Sequence, residues 1–191
     1  MSGRVAISGA VFAIEGNVDT DTIIKSHHCT SADPDTLAPH CLAELPGELA
    51  FRAGGAYPVV LCQGTFGIGS ARIQAPLALA GAGVKAVIAR SFAPIFFENC
   101  INGALLLPLT ATLSVWPATG IELRVCVTDG ELTLSWQDQQ VALHSALPDW
   151  ALAGQSWMDV IEQRANAAGG LEALRARLRE ARSIAPGQAL E

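Results

Sequence analysis

A pair of carboxylates and a glycine-rich loop are the residues of this sequence whose types and spacing could do chemistry. The cluster Asp19-Thr20-Asp21-Thr22 places two acidic side chains two positions apart, directly before an apolar pair. The loop of residues 64–72 carries three glycines, followed by Ser70 and Arg72. Glycines permit positive φ and close backbone approach, and the N–H groups at a helix start attract anions. The loop therefore predicts an anion site that has a hydroxyl beside a guanidinium.

The loop by itself does not identify a ligand. It lacks the third glycine of the dinucleotide-binding fingerprint, and it contains no Gly-Lys-Ser/Thr phosphate loop. A structural turn, in which Ser70 caps a helix and Arg72 is a surface charge, stays open as the alternative. For the two aspartates the alternative is an Asx turn before a helix, and we prefer that interpretation for Asp19.

Composition excludes several other classes of protein. Half of the 191 residues are apolar, 16% are charged, and the formal net charge is −6. These values argue against intrinsic disorder and against a surface that binds a phosphate backbone. No apolar stretch approaches the roughly 20 residues that span a bilayer, and residues 5–14 predict a first strand rather than a secretion signal. We therefore expect a cytoplasmic chain that binds neither nucleic acid nor a membrane.

The cysteines and histidines do not predict a metal site. The five cysteines are odd in number, and they never fall two to four residues apart as zinc or cluster ligands usually do. Free thiols in a reducing cytosol are the prediction. His27 and His28 are adjacent, so their side chains should diverge, and we interpret them as ordinary loop residues. His40, within a predicted helix, and His144 are interpreted as structural.

Alternating short apolar runs and helical patterns predict an α/β domain around these residues. Strands are predicted at residues 5–14, 59–62, 84–89 and 104–107, and a hairpin is predicted from residues 121–127 and 132–136 around Asp129-Gly130. Helices are predicted for about three turns from Asp33-Pro34, at residues 76–82, and from a Ser91 cap to Asn102-Gly103. Closing helices at residues 154–165 and 171–182 complete a single domain of residues 1–183, before a tail of residues 184–191 that we expect to be mobile.

Three segments in order resemble the small subunit of 3-isopropylmalate dehydratase, which corresponds to the swivel domain of aconitase. They are residues 16–24 (GNVDTDTII), residues 66–72 (FGIGSAR) and residues 82–102 (AGVKAVIARSFAPIFFENCIN). The resemblance covers nearly the whole chain, and three ordered segments are more specific than any single motif. It implies an aconitase swivel-like β/β/α domain, with a small mixed or parallel sheet flanked by helices.

The resemblance also implies an activity. It is that of a hydro-lyase or isomerase of the leucine pathway, which dehydrates and rehydrates a 2- or 3-hydroxy dicarboxylic acid such as 3-isopropylmalate. The family's large subunit holds a [4Fe–4S] cluster, so the resemblance implies no cofactor in this chain and activity only with that partner. Two alternatives stay open: a dehydratase subunit for another 2-alkylmalate or a homoaconitate-like acid, and a non-catalytic assembly or binding subunit.

Site residues of the family carry over to matching positions. Ser70 matches the catalytic serine, which would act as an alkoxide base held by loop N–H groups and a nearby positive charge. Asp21 matches the aspartate that orients a histidine of the large subunit. Arg72 would clamp a substrate carboxylate through its planar fork. The other substrate contacts implied are Gly69, Ala71, His28 and Thr30.

Two loops depart from the family pattern. The family's usual Gly-Ser-Ser-Arg-Glu-His-Ala is changed at three positions here. Ala71 replaces the second serine, Ile73 replaces the glutamate and Gln74 replaces the histidine. The segment of residues 25–31 is small and polar, whereas relatives that accept an isopropyl group carry apolar residues there. We therefore expect a substrate whose side group is polar or compact.

Overall fold

The structure is a computed structural model, and it describes residues 4–45, 51, 54, 56–103, 105–128 and 131–143. The predicted helices at 154–165 and 171–182, the tail at 184–191, His144 and the Asp129-Gly130 turn lie outside the described residues. The extent of the domain, residues 1–183, therefore stays a prediction. Within the described ranges, no helix combines the length and apolar character needed to cross a membrane.

Eight strands and four short α-helices make up the described chain. The strands are β1 (Arg4–Ile14), β2 (Val18–Asp19), β3 (Val59–Ile68), β4 (Ala86–Phe92), β5 (Leu107–Thr110), β6 (Glu122–Thr128), β7 (Glu131–Trp136) and β8 (Gln139–Leu143). The helices are α1 (Thr20–Ile23), α2 (Pro34–Leu37), α3 (Gln74–Gly81) and α4 (Pro94–Asn102).

One mixed sheet carries the whole arrangement, in the order β5-β4-β3-β1-β6-β7-β8. The strands β5, β4, β3 and β1 are mutually parallel, and β6, β7 and β8 continue the sheet in antiparallel pairs. The short β2 pairs with the end of β3, so that Asp19 stands opposite Ile68. This pairing brings the acidic cluster to the strand end from which the glycine loop leaves.

Two cores lie on the two faces of the central strands, because successive side chains of a strand point to opposite sides. Val60 and Val87 face the core that also contains buried residues of all four helices. Val59 and Ile88 face the other core, together with residues of β6 and β7 such as Leu134. The strand predicted at residues 5–14 and the hairpin of β6 and β7 are confirmed.

Some predicted boundaries are wrong for identifiable local reasons. Much of the loop predicted at residues 64–69 is strand, because β3 continues to pair with β4 through Phe66. Ser91 is not a helix cap, since it is paired within β4, and Ala93 precedes α4 with Pro94 at its first position. The helix predicted from Pro34 ends after four residues, because Pro39 lacks the N–H that would continue it, and a short 3-10 turn follows.

The last predicted strand of the parallel part is displaced. It occupies Leu107–Thr110 rather than residues 104–107, and it includes Pro108, which an edge strand tolerates. The strand predicted at residues 84–89 likewise runs later, over Ala86–Phe92. Strand β8 was not predicted, because the turn before it contains no glycine and uses Gln137 at a φ of 47°.

Candidate functional site

The loop of residues 69–72 leaves the end of β3 and lies against α4. Gly67 and Gly69 have φ values of 81° and 107°, a region that side chains with a Cβ rarely adopt. A Cβ at Gly67 would overlap the side chain of Phe96 on α4. Gly67 therefore lets the backbone turn in direct contact with this helix, and Gly69 lets it turn beside Thr20.

Thr20, a buried polar residue at the start of α1, fixes the backbone of the loop. Its Oγ1 accepts a hydrogen bond of 3.1 Å from the backbone N–H of Ser70. This N–H is therefore used within the protein, so it is not among the loop N–H groups available to hold an anion at the Ser70 oxygen. The helix behind the loop, α3, begins at Gln74, two residues earlier than predicted.

Asp19 holds α1 in place as its N-cap. Its Oδ1 accepts a 2.6 Å hydrogen bond from the backbone N–H of Thr22, in agreement with the preferred interpretation of Asp19 as the acceptor in a turn before a helix. The hydrogen bonds from the side chain and backbone of Thr22 hold the pKa of Asp19 below its usual value. The neighbouring carboxylate of Asp21 is exposed and is turned toward the glycine loop.

Ser70, Arg72 and Asp21 come together at the tip of the loop. The Nε of Arg72 donates to Ser70 Oγ at 2.7 Å, and its Nη2 lies 3.9 Å from Asp21 Oδ1. A hydrogen bond from a charged donor stabilises the anionic form of the oxygen that accepts it. The side chains of Arg72 and Asp21 are both exposed, so the group opens to solvent.

The sequence interpretation missed two residues that support this loop, Thr20 and Asn99. Asn99, on α4, donates from its Nδ2 to the backbone carbonyl of Ala71 at 3.3 Å. Ala71 itself is exposed and carries no polar side-chain group. The only sequence feature that could have indicated a role for Thr20 was its position within the acidic cluster. Asn99 stood within the third family-like segment, at a polar position between the apolar residues of a helix.

His28 and Thr30 lie in the segment after α1 and are not part of the Ser70 group. The ring of His28 stacks on that of His40, with 3.7 Å between centroids and 8° between planes, and His27 lies 4.1 Å away on centroids. Desolvation, together with the charges of His40 and His27, lowers the pKa of His28. Thr30 is exposed, and its N–H donates to the carbonyl of His28 at 2.9 Å. His40 belongs to the 3-10 turn after α2 rather than to a helix interior.

The described residues do not fit an iron–sulfur cluster. Among them, no three His, Cys, Asp or Glu side chains are grouped closely enough to hold a metal ion. All five cysteines are free, and Cys41, Cys62 and Cys100 are buried. Burial raises the pKa of each of these three thiols, which disfavours the thiolate that a cluster needs.

Comparisons with known proteins connect this geometry to a family. Residues 48–113 match the family described as the Aconitase C-terminal domain. The 3-isopropylmalate dehydratase small subunit of Metallosphaera sedula is 39% identical over 129 residues, covering 68% of this chain and 80% of that protein. The 2,3-dimethylmalate dehydratase small subunit of Eubacterium barkeri is 36% identical over 126 residues, covering 65% of this chain and 76% of that protein.

A solved structure supports the same assignment at the level of the fold. The crystal structure of 3-isopropylmalate dehydratase from Methanocaldococcus jannaschii matches with a TM-score of 0.65 and 28% sequence identity. The match covers 94% of this chain and 99% of that chain. The predicted α/β swivel-like fold is thereby confirmed. The chain belongs to the 3-isopropylmalate dehydratase small-subunit family, and it is a subunit of a hydro-lyase.

Proposed function

We propose that this chain supplies the base and a carboxylate-binding arginine to a heteromeric dehydratase that acts on a substituted malate. The observation that carries the proposal is the 2.7 Å hydrogen bond from Arg72 Nε to Ser70 Oγ. An ordinary serine hydroxyl is too weakly acidic to serve as a base at neutral pH. A guanidinium that donates to the oxygen favours the alkoxide, and so prepares Ser70 to accept a proton.

The proposed reaction moves one proton and one hydroxyl. Ser70 Oγ, as the alkoxide, takes the proton from the carbon next to a substrate carboxylate. The electron pair of that C–H bond forms the C=C bond, while the hydroxyl on the neighbouring carbon leaves with a proton as water. Lewis acidity toward this hydroxyl is the chemistry that a [4Fe–4S] cluster of the large subunit would supply. Rehydration returns the proton from Ser70 to carbon.

Arg72 and Asp21 have separate proposed roles in this step. The Nε of Arg72 donates to Ser70 and its Nη2 lies near Asp21, so we propose that Nη1 donates to a substrate carboxylate. Asp21 lies 3.9 Å from Arg72, and its exposed carboxylate can orient a histidine of the large subunit for protonation of the leaving hydroxyl. Gly69 and Ala71 provide backbone next to the substrate, and the hydrogen bond from Asn99 holds that backbone in place.

We infer a compact substituent on the substrate. The segment of residues 25–31 offers His28 and the exposed Thr30 instead of an apolar surface. A family member named for 2,3-dimethylmalate supports a substrate whose alkyl groups are smaller than isopropyl. We therefore propose a dimethylmalate-like or similarly compact 2-alkylmalate as the preferred substrate, with 3-isopropylmalate as the competing one.

The test of the base is Ser70→Ala in the complex with the large subunit, reconstituted under anaerobic conditions. Absorbance of the unsaturated intermediate reports turnover. We expect kcat to fall by about 10²–10⁴-fold, the usual contribution of a general base, while assembly is unchanged. Ser91→Ala is the matched control, because Ser91 Oγ is hydrogen-bonded to Thr65 and does not touch the site. An unchanged rate for Ser70→Ala would remove Ser70 from the mechanism and favour the assembly-subunit alternative.

The test of the substrate uses the wild-type complex and a panel of acids. Values of kcat/KM for 2,3-dimethylmalate, 3-isopropylmalate and a homoaconitate-like tricarboxylate are compared under the same conditions. We expect the compact substrate to be preferred, because the polar segment of residues 25–31 gains nothing from contact with an isopropyl group. If 3-isopropylmalate is turned over as fast as any other acid in the panel, the inference of a compact substituent is wrong.

A further inference from the structure

Exposed apolar side chains gather around the Ser70 loop. In the described part of the chain, four large hydrophobic side chains are exposed: Ile68 (38%), Ile73 (42%), Ile95 (51%) and Val115 (65%). Single exposed hydrophobics are normal on a protein surface, whereas a group around one feature indicates an interaction site. Three of the four adjoin the loop, and we call Ile68, Ile73 and Ile95 the isoleucine group.

Two members of the isoleucine group bracket the loop along the chain. Ile68 is the last residue of β3, opposite Asp19, and it stands between the two positive-φ glycines that fix its backbone. Ile73 follows Arg72 directly, and its carbonyl accepts the Leu77 N–H at 3.1 Å as α3 begins. Both backbones are therefore held by the same turn that presents Ser70.

Ile95 approaches the loop from a different element. It lies in the first turn of α4, next to Phe96, whose side chain contacts Gly67. Asn99 lies four residues later, on the same side of the helix, and donates to the Ala71 carbonyl at 3.3 Å. Two contacts of α4 with the loop thus place Ile95 beside it.

Local stability does not explain the isoleucine at position 73. Ile73 occupies the N-cap position of α3 and provides no side-chain capping hydrogen bond. Serine, threonine, aspartate and asparagine are preferred there, because their side chains can accept from the first N–H groups of the helix. The exposed apolar side chain thus adds nothing to the helix start.

We propose that the isoleucine group is the docking surface through which the large subunit closes over Ser70. This inference rests on the proposed function, in which a second chain meets the substrate at Ser70. Any chain that does so also meets Ile68 and Ile73, because they adjoin the loop on either side. Burial of three apolar side chains around Ser70 and Arg72 would bind the partner and exclude water from the reacting oxygen.

The experiment measures the Kd for the large subunit by titration calorimetry, without substrate, using Ile95→Ser and Ile73→Ser. We expect each change to weaken binding by about 10–100-fold, as for residues at the centre of an interface. Val115→Ser is the matched control, since Val115 is the most exposed of the four hydrophobics and lies between β5 and β6; its Kd should stay within about twofold of the wild type. A wild-type Kd for both isoleucine variants would overturn the proposal.

Further measurements separate loss of the fold from loss of docking. Ile73→Ser should not lower the Tm of the isolated chain, because serine suits a helix start at least as well as isoleucine. Weaker binding with an unchanged or higher Tm therefore supports docking. If the isoleucine variants abolish self-association of this chain while the Kd for the large subunit is unchanged, the surface binds a second copy and the proposal is wrong. The Ser70→Ala rate tests the base independently of these values.

Discussion

Two hydrogen bonds distinguish Ser70 from an ordinary serine, one to its backbone and one to its hydroxyl oxygen. The Oγ1 of Thr20 accepts a hydrogen bond from the backbone N–H of Ser70, which fixes the position of Ser70. Arg72 donates to its side-chain oxygen, which favours the negative charge there. Position and charge are therefore controlled by different residues, so that substitution of Arg72 should change the reactivity of Ser70 more than its location.

The neighbouring histidine rings influence the pKa of His28. Its pKa is lowered by desolvation, then by His40 and His27, while Glu44 acts in the opposite direction. The unfolded chain, with an ordinary histidine pKa of about 6.5, therefore binds this proton more readily than the folded chain. The resulting destabilisation is absent above pH 6.5, grows as pH falls below it, and is complete below the folded pKa.

We expect His40→Phe to raise the pKa of His28 part of the way toward its ordinary value. Phenylalanine keeps a ring to stack on His28 but removes the titratable neighbour, while the desolvation remains. His27→Phe should produce a smaller rise, because the charge of His27 contributes less than that of His40. Titration of the ring carbon-bound protons by NMR measures each value. A rise in His27→Phe that exceeds the rise in His40→Phe would contradict this ranking.

At the scale of elements, the site depends on the close contact between β3 and α4. Gly67 combines a φ of 81° with a position where a Cβ would overlap Phe96. Gly120 has a similar φ of 90°, but nothing lies within 4 Å of where its Cβ would be. The two positions separate the conformational cost of an alanine from its packing cost.

We expect Gly67→Ala to lower the free energy of unfolding by about 2–5 kcal/mol, since unfavourable φ and overpacking add. Gly120→Ala should cost only about 1–2 kcal/mol, because φ alone is affected. Urea unfolding followed by circular dichroism measures both. Equal losses for the two variants would mean that Phe96 moves aside without cost and that the contact between β3 and α4 is loose.

The element predictions failed where tertiary pairing or a single proline overruled local pattern. Glycines at positions 64, 67 and 69 indicated a loop, yet the segment through Phe66 pairs with β4 and remains strand. The apolar stripe after Pro34 indicated three helical turns, yet Pro39 ends the hydrogen-bond ladder. Local propensity gives the element type for long periodic segments, whereas partner strands set the ends.

At the scale of the molecule, the antiparallel half of the sheet (β6, β7 and β8) lies away from the site. Strand β7, which carries the buried Leu134, is three positions from β3 in the sheet order. Neighbouring strands are about 4.8 Å apart, so β7 lies on the order of 14 Å from the strand that carries the Ser70 loop when measured along the sheet. The antiparallel half therefore stabilises the domain without touching the reacting groups.

We expect Leu134→Ala to lower the free energy of unfolding by about 2–5 kcal/mol through the cavity that it leaves. Turnover per folded complex should stay within about twofold of the wild type, because additivity holds for distant sites. Ser135→Ala, on the same strand, should change stability by no more than about 0.5 kcal/mol. Urea unfolding and the reconstituted assay measure the two quantities. A kcat that falls along with stability would show that the antiparallel half of the sheet is coupled to the loop.

The sequence by itself determined the family, the α/β class, the first strand, the hairpin and the Asp19 cap. It also singled out Ser70, Arg72 and Asp21, because residue types and near spacing carry that information. Only the tertiary structure decided two hydrogen bonds between distant residues. Thr20 accepts from the N–H of Ser70, which is 50 residues away, and Asn99 donates to the carbonyl of Ala71, which is 28 residues away. The tertiary structure also decided that the ring of His40 stacks on that of His28 and that Ile95 lies beside the Ser70 loop. Contacts between distant segments depend on which strands and helices pack together, and no local pattern in the chain encodes that choice.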